Sequence, residues 1–138
     1  MGHVYAEIEL INSEDLMDAR KHRIGEEEIR RMRVTMMVDS GAYMLTINEN
    51  IQAYLQLPFR HRKRFEIADG RVLECDVVGP VEVQFSNRTT ACNAFVLPGA
   101  SEPLLGAIPM EEMDVLIDMQ RQELVVNPKH PDGAVLRI

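Results

Sequence analysis

The chain has 138 residues, which suits one domain with its own hydrophobic core, and we expect a single domain over residues 1–138. A formal net charge of −7 argues against nucleic acid as the main partner, and no apolar stretch is long enough to cross a bilayer. The N-terminus lacks the apolar centre of a signal peptide, so we expect a cytoplasmic protein that does not act at a membrane.

The first part of the chain is predicted to contain three strands and two short helices. Alternating apolar residues predict a strand over Val4–Ile11, and the dense charges of Ser13–Arg31 indicate an exposed loop with a short helix. Arg33–Val38 predicts a strand with few polar residues, so we expect both of its faces to be covered. A short strand over Met44–Ile47 then precedes a helix over Asn48–Leu55, whose first residue caps it.

The centre of the chain is predicted to be β-structure. The dipeptide Asp69-Gly70 between β-forming residues predicts a hairpin over Phe65–Leu73 with a two-residue turn. Val77–Phe85 and Thr89–Leu97 predict two further strands, the first interrupted by Gly-Pro.

Five consecutive residues from Arg60 to Arg64 are basic or histidine, in contrast to the acidic chain as a whole. We expect them to form a solvated entry into the next strand. The alternative is an electrostatic contact with an acidic peptide or a partner subunit.

The C-terminal part combines short strands with one helix. Leu104–Ala107 follows a loop rich in Pro and Gly, and Pro109–Met113 predicts a short helix. Val115–Met119 and Glu123–Val126 should pair as a hairpin, and Ala134–Ile138 is apolar enough for a final strand outside the main core. Many short strands with one or two short helices predict a mostly-β, closed or partly closed barrel.

The cysteines and histidines give no sign of a metal centre. Cys75 and Cys92 lack the spacing of metal ligands, so we expect free buried thiols rather than a disulfide. The four histidines are scattered, with no His-x-x-x-His pair, and we expect neither a metal nor a cofactor.

The tetrapeptide Asp39-Ser40-Gly41-Ala42 directly follows the predicted buried strand. It would deliver a carboxylate to a tight turn, with a hydroxyl to bond local backbone and a glycine to permit close approach. The same residues also suit an ordinary turn after a strand. Two such loops facing each other would present a carboxylate pair that shares one proton.

The order of three motifs resembles the retropepsin-like aspartic proteases, the single-lobe relatives of pepsin, and small microbial members in particular. The motifs are Asp39-Ser40-Gly41-Ala42, Ala68-Asp69-Gly70 and Leu104-Leu105-Gly106, and the resemblance spans about Val4 to Pro128. Tyr43 departs from the polar or acidic residue that viral members usually carry at that position.

The resemblance implies a role for each motif. Asp39 would be the catalytic aspartate, Ser40 would reach across to a partner's loop, and Gly41 and Ala42 would line the cleft floor near substrate backbone. Ala68-Asp69-Gly70 would be the tip of a flap hairpin that covers a bound peptide. Leu104-Leu105-Gly106 would cross behind the Asp loop and support it, its glycine allowing close passage.

A single Asp-Ser-Gly sequence is present, so the hypothesis requires a homodimer in which two copies of Asp39 meet at the twofold axis. The pair would activate a water that attacks an extended peptide substrate, and Val4–Leu10 and Val135–Ile138 are the candidate interface strands. Two alternatives stay open: a catalytically silent binding or interaction module on the same fold, and an unrelated β-barrel that binds a ligand.

Overall fold

A computed structural model describes residues 2–138, in which we find nine strands, three short α-helices and one 3-10 turn, Glu26–Glu28. In chain order the strands and helices are β1 (Val4–Asn12), α1 (Ser13–Arg20), β2 (Arg31–Val38), β3 (Leu45–Asn48), α2 (Glu49–Leu55), β4 (Phe59–Glu66), β5 (Val72–Phe85), β6 (Arg88–Leu97), β7 (Leu104–Leu105), α3 (Ala107–Met113), β8 (Val115–Asp118) and β9 (Glu123–Val126).

Seven strands form one sheet in the order β1-β2-β7-β3-β6-β5-β4, and a further pairing between β1 and β5 closes six of them into a ring. The pairs β2–β7 and β3–β6 are parallel, and the other pairs are antiparallel. β4 extends the sheet from β5, while β8 and β9 form a separate hairpin. The predicted mostly-β fold is confirmed.

Within residues 2–138, none of the helices combines the length and hydropathy of a membrane span.

The core fills the inside of the ring with apolar side chains at every second position of its strands. Ile8, Leu10, Met36, Leu45 and Ile47 are fully buried there. This alternation shows that the expectation for β2, with both faces covered, was wrong. The outer face of β2 is exposed, and there the Thr35 hydroxyl donates a hydrogen bond of 3.1 Å to Glu7 on the solvent side of β1.

Two buried polar residues join the charged segment after β1 to the rest of the fold. Asn12 caps α1 by accepting a hydrogen bond from the Asp15 N–H (3.0 Å), and its amide donates to the Leu55 carbonyl at the end of α2 (2.9 Å). The Asp15 carboxylate, 4% exposed, receives Arg30 Nε at 2.8 Å and Nη2 at 2.9 Å. Hydrogen bonding to Arg30 lowers the pKa of Asp15, although burial opposes the shift. The predicted short helix is therefore anchored by an ion pair between the buried Asp15 and the half-buried Arg30.

The predicted final strand over Ala134–Ile138 is absent, and this prediction was wrong. The Val135 N–H donates to Asp114 Oδ2 at 3.1 Å instead of entering a sheet. Asp114 also receives Asn127 Nδ2 (3.0 Å) and lies 2.6 Å from His130 Nδ1, so one carboxylate holds the C-terminal segment. Leu136 and Ile138 are exposed.

We predict that Asn12→Ala lowers the free energy of unfolding by about 2–3 kcal/mol, because it removes a helix cap and leaves buried backbone groups unpaired. Urea denaturation measures the change. Asn50→Ala, at an exposed position of α2, is the matched control and should change the free energy by less than about 0.5 kcal/mol. Equal values for the two variants would contradict the role of Asn12.

The Asp114 contacts predict a pH dependence of the C-terminal segment. Hydrogen bonds from Asn127, Val135 and His130 lower the pKa of Asp114 from 3.8 to about 2. The stabilisation is therefore complete above pH 3.8 and is lost as the pH falls through about 2. The amide chemical shift of Val135 should titrate with that lower midpoint.

Asp132→Asn should leave this titration of the Val135 amide unchanged, whereas Asp114→Asn should abolish it. A midpoint at the ordinary value of an aspartate would show that Asp114 does not hold the segment.

Candidate active site

Asp39 lies at the end of β2, where the chain turns out of the sheet. Its N–H donates to the Leu105 carbonyl at 3.0 Å, and its own carbonyl accepts the Ala42 N–H at 3.1 Å. Asp39 Oδ1 accepts the Gly41 N–H at 2.9 Å, which fixes the orientation of the carboxylate. The side chain is half-buried and Ser40 is exposed, so the loop presents a positioned carboxylate at the surface.

Glycine at position 41 keeps space beside the carboxylate. A Cβ atom there would lie 3.2 Å from Asp39 Oδ1, closer than an ordinary van der Waals contact. Gly41 therefore affects Asp39 Oδ1 in two ways. Its N–H donates a hydrogen bond to this oxygen, and its lack of a side chain avoids a close contact with it.

Leu104-Leu105-Gly106 lies directly against this loop. β7 pairs with β2 through Met37–Leu104 and Val38–Leu105, and with β3 on its other side. A Cβ atom on Gly106 would lie 2.8 Å from the Met44 nitrogen, 2.9 Å from the Ala42 carbonyl oxygen and nearer still to the Met44 carbonyl. Backbone atoms therefore leave no room for a side chain at position 106, and glycine is required there.

The start of α3 is completed by the Asp loop. The Ala107 N–H donates to the Ala42 carbonyl (2.9 Å), and the Ile108 N–H donates to the Tyr43 carbonyl (3.1 Å). Because the first N–H groups of a helix have no partner within it, these bonds satisfy the helix and brace the loop together.

Ala68-Asp69-Gly70 forms the tip of the β4–β5 hairpin and is exposed. The Ile67 N–H bonds to the Arg71 carbonyl (2.9 Å), so the turn has three residues, and the expected two-residue turn was wrong. Gly70 has φ = +88°, the left-handed residue that a three-residue hairpin requires. The Asp69 carboxylate accepts hydrogen bonds from the Arg71 N–H (3.0 Å) and from Arg71 Nε (2.7 Å), and these bonds close the tip.

A groove of about 320 Å³ separates the Asp loop from this hairpin. Phe65 and Phe95 form part of its wall, with ring centroids 4.0 Å apart. Most of the lining is apolar, and Glu66 contributes a carboxylate. The lining residues are Gly41, Ala42, Tyr43, Met44, Thr46, Phe65, Glu66, Ile67, Leu73, Cys75, Phe95, Leu97 and Leu104.

Three apolar residues of the motif-bearing segments, Met37, Ile67 and Leu105, lie in different surroundings. Ile67 lines the groove, whereas Met37 lines a second cavity of about 280 Å³ on the other side of the loop, together with Asp39 and Ser40. Leu105 is fully buried and belongs to the core.

Several groove and cavity residues were not predicted from sequence. Phe95 and Leu97 enter the groove from β6, and Ile117 and Met119 of the C-terminal hairpin line the second cavity. One signal in the hairpin sequence could have identified groove residues. Phe65 and Leu73 pair in register, so their side chains face the same side of the sheet.

Cys75 and Cys92 are free, as predicted, although Cys92 is half-buried rather than buried. Burial raises the pKa of Cys75 and raises that of Cys92 to about 12, so both thiols are neutral near pH 7. Among residues 2–138, no three His, Cys, Asp or Glu side chains are grouped as a metal site would require.

A single-lobe, mostly-β domain with an Asp-Ser-Gly-Ala loop braced by Leu-Leu-Gly defines the retropepsin-like class of aspartyl protease domain. The chain belongs to the family described as gag-polyprotein putative aspartyl protease, whose model matches residues 26–111. That match includes all three motifs named from the sequence. No curated protein matches the chain.

We predict that Gly106→Ala lowers the free energy of unfolding by about 3 kcal/mol, because its methyl group would collide with the backbone of the Asp loop. Urea denaturation measures the loss. Gly133→Ala is the matched control, since a Cβ atom at Gly133 meets no atom within 4 Å. If both variants had the stability of the wild type, the close contact at Gly106 would be ruled out.

Proposed function

We propose that this protein is an aspartic endopeptidase whose catalytic group is a pair of Asp39 carboxylates, one from each subunit of a homodimer. The observation that carries the proposal is the braced Asp39 loop, which holds a surface carboxylate beside an apolar groove. Family membership supports the same reaction class.

The proposed chemistry follows from bringing two carboxylates together. At about 3 Å they cannot both be ionised, so the pair holds one proton. The ionised Asp39 takes a proton from a water, whose oxygen attacks the scissile carbonyl carbon, while the protonated Asp39 donates to the carbonyl oxygen. Return of a proton to the amide nitrogen then allows the C–N bond to break, and the reaction uses neither a metal nor a cofactor.

The other motif residues take supporting roles in this proposal. Ser40, exposed beside the carboxylate, contacts the partner's loop, and Gly41 with Ala42 forms the floor under the substrate backbone. The hairpin tip Ala68–Gly70 serves as the flap. Leu104–Gly106 positions the loop through its backbone bonds, and Leu104 also lines the groove.

We propose an extended peptide or protein segment as the substrate. The groove has aromatic and aliphatic walls, which favours apolar side chains next to the scissile bond. An extended peptide can also bond its backbone to strands on both sides of a groove.

The proposed dimer face centres on Ser40 and β8. Cavities of about 280 and 220 Å³ flank Ser40 and share Ile117, and Leu116 nearby is 47% exposed. A second copy on this face would cover apolar surface and bring the two loops together. It differs from the interface expected at Val4–Leu10 and Val135–Ile138, of which the second forms no strand.

We further propose that residues 1–138 act as one domain and that the protein works in the cytoplasm. One core cluster extends from Val4 to Leu124, which supports a single domain. Two unpaired cysteines suit a reducing compartment.

We predict that Asp39→Asn lowers kcat for peptide cleavage by about a thousandfold, because the pair loses its base. Asp132→Asn also alters an Asp-Gly pair but lies outside the proposed site, so it should keep full activity. Cleavage of a peptide library, read by mass spectrometry, measures both variants.

Mixing tests the shared site directly. If each active dimer needs two Asp39 residues, equilibration with an equal amount of Asp39→Asn should halve, to about 50%, the activity of a fixed amount of wild type. Unchanged activity after mixing would exclude the pair. A folded wild type that cleaves no peptide between acidic and neutral pH would instead indicate a silent interaction module.

A further inference from the structure

Strand β4 is the end strand of the seven-stranded sheet and carries a run of basic side chains. It pairs with β5 along one edge, and no described strand pairs with its other edge. Each residue from Phe59 to Arg64 is exposed. An extended polypeptide can therefore approach both the backbone edge and the charged side chains.

Most of these charges have no ion-pair partner among the residues that the structure describes. Arg62 pairs with Glu74 (3.0 Å) and Asp76 (2.9 Å). Across residues 2–138, no carboxylate oxygen lies within 4.0 Å of the charged groups of Arg60, Lys63 or Arg64. In a chain with a net charge of −7, Arg60, Lys63 and Arg64 are thus exposed cations without an ion pair, and the carboxylates on β4 and opposite it on β5 are Glu66, Glu74 and Asp76.

The basic strand leads directly into the groove. Phe65, near the end of β4, and Ile67, just after it, form part of the groove wall, and Phe65 packs on Phe95. At a strand rise of about 3.3 Å per residue, Lys63 lies roughly 7 Å and Arg60 roughly 17 Å along the strand from Phe65. A peptide held in the groove would thus have its outlying residues within reach of these cations.

We propose that the outer edge of β4 binds an acidic, extended segment of the polypeptide substrate, a few residues away from the bond that is cut. The inference rests on the proposed protease function and adds a charge preference to it. Backbone hydrogen bonds along the free edge would hold the segment, and Asp or Glu side chains would pair with Arg60, Lys63 and Arg64.

An acidic peptide fits this surface better than a nucleic acid does. A strand edge offers alternating N–H and C=O groups that match another strand, and the rest of the chain repels polyanions. A third possibility is that the charges only prevent edge strands of different molecules from pairing. The experiment has to distinguish binding of an acidic peptide, binding of a nucleic acid and this protective role.

Binding is measured with Asp39→Asn protein, so that no peptide is consumed, and with two labelled peptides that share one apolar segment. One peptide carries an acidic extension, and the other carries a neutral Ser/Gln extension. At low salt the acidic peptide should bind about tenfold more tightly, and this advantage should disappear at about 0.5 M salt.

Substitutions on β4 test the residues. Adding Lys63→Gln/Arg64→Gln should weaken the acidic peptide about fivefold and leave the neutral peptide unchanged. Lys21→Gln/Lys129→Gln removes the same charge from exposed sites elsewhere and should have no such effect. Lys63→Arg/Arg64→Lys, which keeps the charge, should keep the preference.

Three outcomes would overturn the proposal. They are equal binding of both peptides by the Asp39→Asn protein, tighter binding of a single-stranded oligonucleotide than of the acidic peptide, and unchanged peptide affinity with increased aggregation in Lys63→Gln/Arg64→Gln.

Cleavage by the wild type separates this inference from the protease function. Equal kcat/KM for acidic and neutral peptides would overturn the role of β4 and leave the protease intact. Selective binding of the acidic peptide with no cleavage of any peptide would support the β4 surface and overturn the protease.

Discussion

The contact between the backbone of Gly106 and that of Ala42 and Met44 positions the parts of the candidate site relative to one another. It lets β7, a strand of two residues, pass between β2 and β3 and hydrogen-bond to both. It also places the start of α3 where the Asp loop can satisfy its free N–H groups. A side chain at this glycine would separate three elements at once, so the position of the Asp loop depends on the absence of one Cβ atom.

The rest of the fold surrounds this contact with two kinds of support. Apolar residues inside the ring give most of the stabilisation, as expected for a small domain. Buried or half-buried polar residues at the ends of elements then fix positions that apolar packing leaves free. Asn12 ties α1 to α2, and Asp114 ties the C-terminal segment to the end of α3. The Asp loop itself is held almost entirely by backbone hydrogen bonds, which tolerate changes of side chain around it.

Features that depend on neighbours in sequence were predictable. Asn48 was recognised as a helix cap because its partner, the Ile51 N–H, is three residues away. The Asp39 loop and the hairpin at Gly70 were recognised for the same reason.

Features that depend on distant pairing were not predictable. The exposure of Thr35 follows from pairing with β1, and the groove wall at Phe95 follows from the position of β6. The apolar residues near Leu136 suggested a strand, but Asp114 takes the Val135 backbone N–H instead. Local chemistry thus identified the candidate catalytic residue, while the shape of its surroundings needed the three-dimensional structure.

Strand β5 has a mechanical consequence, because its 14 residues belong to two structures at once. Its first half pairs with β4 in the hairpin over the groove, and its last residues pair with β1 to close the ring. The register with β6 shifts between Val78 and Val81, so the strand bends between its two halves. A force that pulls on the hairpin is therefore transmitted along the backbone of β5 to the β1–β5 pairing that closes the ring. The direction of this force changes at the bend.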